Sequence, residues 1–289
     1  MEDLSRKQEL ITEPAYMSRR LLMNTDKARL IYFSPTGTTK KILDGIIDGF
    51  QVAMVQQIDL TLPIIKIPND FMIKKDDFAI IGAPVYGGRI PGIAAQRLKQ
   101  IRADKTPAVI VVVYGNRAYE DALLELSEIV KEAGFIPVAA GAFIGEHSYS
   151  TMAIPIAVGR PDAQDLMQAR DFGSVVKKKM REMQILDSTA ALSLPGNFPY
   201  KDRVALPEMS PVIIEDLCNL CGECAAVCPT AAITVDTTVL TDKKQCIRCC
   251  ACVKNCPIEA RVMEEPLIKQ IAQWLSTTFQ DRQAPTMFI

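Results

Sequence analysis

Cys218, Cys221, Cys224 and Cys228, followed by Pro229, recur as Cys246, Cys249, Cys252 and Cys256, followed by Pro257. Both sets read C-x2-C-x2-C-x3-C-P, and all nine cysteines of the chain lie between Cys218 and Cys256. Three thiolates in one tight loop can each reach a different iron of a cube, and the proline then turns the chain away with the fourth. The chemistry this spacing suits is one-electron transfer through two [4Fe-4S] clusters. Zinc would use sets of four ligands, usually two C-x2-C pairs well apart in sequence, and leaves the doubled comb and its prolines unexplained. With Cys218 laid on Cys246, the match runs on past the prolines to Ala232 and Ala260, which marks an internal duplication. Cys250 stands outside both combs and reads as a small buried side chain.

A second chemistry is written upstream. Arg29 to Phe33 is a short apolar run that leads into Ser34-Pro35-Thr36-Gly37-Thr38-Thr39 and then a helical pattern over 40–50. Strand, hydroxyl-rich turn and helix start together make an anion cradle: N–H groups point out of the helix end, and Ser and Thr hydroxyls add donors. The loop is neither G-x4-G-K-[ST] nor G-x-G-x-x-G, which disfavours a nucleoside triphosphate and a dinucleotide. An ordinary helix cap would also use Ser or Thr, but not four hydroxyls and a glycine in six residues.

The elements that must position these residues alternate. Strands are expected over 29–33, 52–59, 77–82, 107–114 and 136–144, and helices over 38–49, 92–101, 119–133 and 162–183. That order predicts a doubly wound α/β sheet, 2-1-3-4-5, complete before a stretch with four prolines between residues 185 and 211. In that stretch Leu194, Phe198 and Tyr200 suggest a connector laid along the sheet unit. Past the second comb, Ile268, Ile271, Trp274, Leu275 and Phe279 share one helical face and read as a packing clasp. The apolar end, Met287-Phe288-Ile289, is expected to dock on this chain or on a second copy, which leaves a homo-oligomer open.

Ser34-Pro35-Thr36-Gly37-Thr38-Thr39 resembles the S/T-x-T-G-x-T phosphate loop of flavodoxins. The resemblance implies FMN, with its phosphate on Ser34, Thr36, Gly37, Thr38 and Thr39. It also implies that the loops after the third and fourth strands flank the flavin ring: Pro84, Val85, Tyr86 and Gly87 on one side, and Tyr114, Gly115, Asn116 and Tyr119 on the other. Asn116 would bond the ring's pyrimidine edge; any one tyrosine could stack or could be a half-buried rim residue. The combs resemble the bacterial two-cluster ferredoxin run, in which the fourth cysteine of each comb serves the other cluster. The sets implied are Cys218, Cys221, Cys224 with Cys256, and Cys246, Cys249, Cys252 with Cys228. The whole layout, with the connector Leu194-Pro195-Gly196-Asn197-Phe198-Pro199-Tyr200-Lys201, resembles a family of iron–sulfur flavoproteins over roughly residues 28–289.

The expected organisation is an N-terminal extension over 1–27, a flavodoxin-like FMN domain over 28–184, a proline-rich connector over 185–211, a small α+β two-cluster ferredoxin domain over 212–262, and a helix and tail over 263–289. A net charge of -1 argues against nucleic acid as a partner. Met1-Glu2-Asp3-Leu4-Ser5-Arg6 does not resemble an export signal, and runs such as Ala108 to Val113 are too short to cross a bilayer. A cytoplasmic protein with reduced thiols is expected.

Three functions follow from these parts. The first is an oxidoreductase that takes single electrons from an external ferredoxin or similar low-potential donor, passes them through two clusters to FMN and reduces a small-molecule acceptor. The second is an electron carrier between protein partners with no substrate of its own. The third, a redox sensor, is the weakest, because no DNA-binding or signalling module is visible. Three centres and a clasp favour the first. His147, the single histidine, follows the fifth strand at the ligand edge of the sheet, as a proton donor or as a rim residue bonded to its own loop.

Overall fold

The computed structural model describes residues 27–63, 68, 70–182, 192–203 and 205–289. The expected extension, apart from Lys27, and the first residues of the connector lie outside the described residues.

Five parallel strands, β1 (Lys27–Tyr32), β2 (Met54–Asp59), β3 (Phe78–Pro84), β4 (Thr106–Tyr114) and β5 (Phe135–Ile144), run in the order β2-β1-β3-β4-β5. All nine residues of β4, TPAVIVVVY, are buried, as a strand covered on both faces requires. Alternate side chains serve opposite layers. Val109, Val111 and Phe143 join Ile42, Leu43, Ile46, Phe50, Phe172 and Val176 of α1 (Thr38–Phe50) and α4 (Ala163–Glu182). Ile110, Val112 and Ile144 join Leu98, Leu123, Leu126 and Ile129 of α2 (Gly92–Leu98) and α3 (Ala122–Glu132) on the other face. This is the doubly wound, flavodoxin-like sheet, and it sets the carboxyl ends of β1, β3, β4 and β5 along one edge.

Residues 212–262 form a small α+β unit. Its elements are β6 (Val212–Ile213), a 3-10 turn (Glu215–Leu217), α5 (Glu223–Ala226), β7 (Ile233–Val235), β8 (Val239–Thr241), α6 (Ala251–Lys254) and β9 (Arg261–Val262). β6 pairs antiparallel with β9 and β7 with β8, and Cys224, Ile233, Val239 and Cys252 fill the centre. The duplication holds in the backbone: Gly222 and Cys250, which match when the combs are superposed, are both left-handed N-caps, of α5 and α6.

The sheet does not end before the connector, as the sequence suggested. A sixth strand, β10 (Thr286–Phe288), pairs antiparallel with β5 and closes its open edge. The apolar tail thus docks on its own chain, Phe288 against one layer and Met287 against the other. The clasp is narrower than the expected stripe. In α7 (Pro266–Thr278), Ile268, Ala272 and Leu275 are buried, the last two beside Ile156, whereas Trp274 is 50% exposed. Connector residues Leu192 and Leu194 pack against the sheet unit, but Phe198 is 81% exposed. Asp121 holds the connector motif by accepting from Asn197 N (2.9 Å) and Lys201 N (2.8 Å), and the Arg89 guanidinium lies over Tyr200. Among the described residues no helix is long and apolar enough to cross a membrane.

Candidate functional site

The turn after β1 brings Ser34 back over the start of α1. Ser34 Oγ accepts from Lys40 N (3.1 Å), Thr61 Oγ1 accepts from Ser34 N (2.8 Å), and the first helical bond runs from Lys41 N to Gly37 O (3.0 Å). The N–H groups of Thr38 and Thr39 precede that bond and belong to the open helix end. Gly37 has φ 81° and an added Cβ would meet nothing within 4 Å, so the backbone there lies bare. Thr39 is buried, and its Oγ1 has no hydrogen-bond partner. An orphan hydroxyl beside a bare helix end is what a bound phosphate would complete.

A cavity of ≈ 970 Å³ opens from this turn. Thr36 and Thr38 line it, together with Pro84 to Gly88, Tyr114-Gly115 and Gly145 to Tyr149. Cys246-Ile247-Arg248 of the second comb and Ile271, Trp274 and Leu275 of α7 line it as well. Lys254 Nζ donates to Glu146 (2.9 Å) and to Ser150 O (2.8 Å), and Arg97 Nη2 donates to Pro229 O (2.6 Å), so charged contacts hold the comb unit against this edge. Burial first, and then the neighbouring Cys249, Tyr149 and Cys250, push the Tyr86 phenol well above its ordinary range. Tyr86 and Cys246 of the second comb line the same cavity.

His147 lines that cavity too. Its Nδ1 accepts from Tyr149 N (3.1 Å), which puts the proton of the neutral ring on Nε2. Burial, with Lys254 and Arg117 nearby, lowers its pKa to about 4, so the ring is neutral at pH 7. A Cβ on Gly115 would fall 2.3 Å from His147 Cδ2, so the imidazole fits only because residue 115 has no side chain.

Two of the expected ring residues sit elsewhere. Asn116 is buried with its amide spent on the C-terminal tail: Nδ2 donates to Phe279 O (2.8 Å) and Asp281 O (2.9 Å). It has no bond left for a ring edge on that side. Tyr119 packs on Tyr114 (5.5 Å between centroids) and lines a separate cavity with Pro195, Gly196 and Gln283. Trp274 and Arg248 line the main cavity and were not expected there; both lie far beyond β4 in the chain, and no local pattern joins them to the sheet edge.

The comb unit contains two further cavities. One is lined by Cys246, Cys249 and Cys252 with Cys228, the other by Cys218, Cys221 and Cys224 with Cys256. Each fourth thiol has thus crossed to the other comb's loop, and each accepts a backbone N–H: Ala232 N to Cys228 Sγ (3.3 Å) and Ala260 N to Cys256 Sγ (3.2 Å). Each set of four thiols lines a cavity of its own. That geometry suits a cube in which every thiolate takes its own iron. Burial pushes the Cys249 thiol up to about 12, so a thiolate there needs a compensating cation. Arg261, which the combs gave no reason to single out, lines both cavities. It is 3% exposed, its Nη2 lies 3.8 Å from Cys252 Sγ, and its buried Nε has no partner.

Residues 211–234 match the 4Fe-4S binding domain family. Over 58 residues the chain is 40% identical to the B subunit of tetrathionate reductase from Salmonella typhimurium, covering 19% of this chain and 23% of that protein. The match therefore spans less than a quarter of the relative's length. Among solved structures, the chain is similar to a flavodoxin from the domain Archaea (16% identity, 54% of this chain and 99% of that one, TM-score 0.36). It is also similar to oxidised flavodoxin 1 from Bacillus cereus (18% identity, 53% and 97%, TM-score 0.38). The chain joins a flavodoxin-like domain to a ferredoxin-type 4Fe-4S domain, and its role is in electron transfer.

Proposed function

We propose that this protein is an iron–sulfur flavoprotein oxidoreductase in which single electrons from a low-potential donor pass through two [4Fe-4S] clusters to FMN, where a small substrate is reduced by two electrons. The observation that carries the reading is the cavity between the two units, lined both by the Thr36/Thr38 turn and by Cys246-Ile247-Arg248. When bound, the clusters carry single electrons and the flavin collects two and delivers them as a hydride equivalent. Thr36, Thr38, Thr39 and the bare backbone at Gly37 would hold the phosphate. Tyr86 and Tyr114-Gly115 would border the ring. The sets Cys218/Cys221/Cys224/Cys256 and Cys246/Cys249/Cys252/Cys228 would hold the two cubes.

His147 holds a proton on Nε2 at the cavity wall, where the neutral ring can donate a hydrogen bond to a substrate oxygen and stabilise negative charge that develops there. The room beside it favours an enzyme over a carrier, whose flavin edge would be covered by protein. The expected setting is the cytoplasm, where thiols stay reduced.

The test is cofactor content, followed by turnover. Protein purified without oxygen is expected to carry about eight irons and one non-covalent FMN. Gly37→Val should lose the flavin and keep the iron. Four irons, or a flavin content unchanged in Gly37→Val, would overturn the assignment.

A further inference from the structure

The duplicated combs have opposite surroundings. The second comb is covered: Cys249 and Cys252 are buried, and Ile247 and Arg248 line the cavity. The first is bare: Leu217 is 51% exposed, Leu220 is 40% exposed, and the Cys221 thiol reaches the surface. Val212, Ile214 and Ile258 are also exposed, and the bond from Ile214 N to Ala260 O (2.8 Å) ties their segments into one face. Charge divides the same way. From residue 204 to 242 the chain has six acidic side chains and neither lysine nor arginine, whereas Lys243, Lys244, Arg248 and Lys254 follow beside the second comb. Exposed Glu215, Asp216 and Glu223 stand in or next to the apolar face, and Glu223 lines the first comb's cavity.

We infer that the face around Leu217, Leu220 and Cys221 docks a soluble redox protein whose own metal centre is rimmed by lysine or arginine. The inference rests on the reading of the first comb as a [4Fe-4S] site. An apolar centre with a ring of one charge sign gives an encounter that is steered from a distance and readily released. One electron leaves the partner's reduced metal and reduces the first cluster, with no bond made or broken and no proton moved; the reverse transfer uses the same face. A donor with an acidic rim, as an acidic ferredoxin has, would be repelled here.

The holoprotein, with iron and visible spectrum measured first, is reduced photochemically and mixed in a stopped-flow cell with an oxidised lysine-rimmed c-type cytochrome, or with an acidic ferredoxin. Absent clusters would remove the underlying reading; with clusters present, the rates judge the face. The cytochrome rate should fall steeply with added salt, and Glu215→Gln/Asp216→Gln/Glu223→Gln should slow it about tenfold or more at low salt. Glu132→Gln/Asp171→Asn/Glu182→Gln, equal in charge but on α3 and α4, should leave it unchanged. Leu217→Ser/Leu220→Ser should slow it at every salt concentration. Faster reaction with the acidic ferredoxin, equal loss in the two charge variants, or a dimer that Leu217→Ser/Leu220→Ser dissociates would overturn the inference, the last by making a second copy the occupant.

Discussion

Arg261 puts a fixed positive charge where the two cysteine cavities meet, and the duplication supplies its control: the matching position of the first repeat is Ile233. A buried guanidinium with an unspent Nε–H favours the more negative, reduced form of any cluster beside it. Arg261→Met should therefore lower the midpoint potentials of both clusters, by about 59 mV for each tenfold change in a one-electron equilibrium. Arg261→Lys should restore part of the shift, and a redox titration followed by EPR reads both. His147 gives a pH signature. Its pKa falls from about 6.5 unfolded to about 4 in the fold, mainly through burial. Its contribution is whole above about pH 6.5 and is lost as the pH falls toward 4, because the unfolded chain takes up the proton first. The loss is about 3 kcal/mol at most. His147→Gln should flatten that part of the stability curve between pH 7 and 5, while an unchanged slope would assign the acid sensitivity to other groups. If the neutral His147 also donates a hydrogen bond to the substrate in turnover, His147→Ala should lose rate by about 10² to 10³-fold.

The C-terminal tail ties the elements together. β10 closes the sheet edge, Arg282 pairs with Asp162 (2.7 Å), and buried Arg160 donates to Asp165 and to Gln283 O (3.0 Å). Asn116 completes the anchor, and its φ of 69° lets glycine replace it without new strain. Asn116→Gly should cost about 1–3 kcal/mol of stability with FMN affinity unchanged; weakened FMN with unchanged melting would return Asn116 to the ring. Deleting 280–289 should lower the melting temperature further and cause concentration-dependent aggregation through the bared β5 edge, readable by light scattering. What the sequence made legible was local. The all-apolar β4, the hydroxyl-rich turn and the combs each carry their pattern within a short stretch of chain. What it hid depends on distant partners. Nothing in residues 115–119 tells that Asn116 faces Phe279 and Asp281 near the other end of the chain, or that Tyr119 turns to a different cavity. A strand as short as Thr286–Phe288 cannot show a period, so the segment could be read as a docking tail but not as part of the sheet. Trp274 fitted the α7 stripe by spacing, yet the helix contacts the sheet unit along only a narrow band.

At the scale of the molecule the thiol-lined loops and the flavin-sized cavity lie in series. Exposed Cys221 belongs to the Cys218/Cys221/Cys224/Cys256 cavity, Arg261 lines both that cavity and the Cys246/Cys249/Cys252/Cys228 cavity, and Cys246 and Ile247 line both the latter and the open cavity at the sheet edge. The crossed fourth cysteines make each link of that series separately breakable. Cys228 comes from the first comb in sequence but faces the second comb's cavity, so Cys228→Ala should damage the cluster nearest the flavin, and Cys256→Ala the one at the surface. In Cys228→Ala an external donor should still bleach the surface cluster while the flavin stays oxidised; in Cys256→Ala neither remaining centre should be reduced at the normal rate. Photochemical reduction of the flavin should work in both variants, because it bypasses the series. Flavin reduction by the donor at the full rate in Cys228→Ala would mean that electrons reach the cavity without crossing the second comb, and the serial arrangement would have to be abandoned.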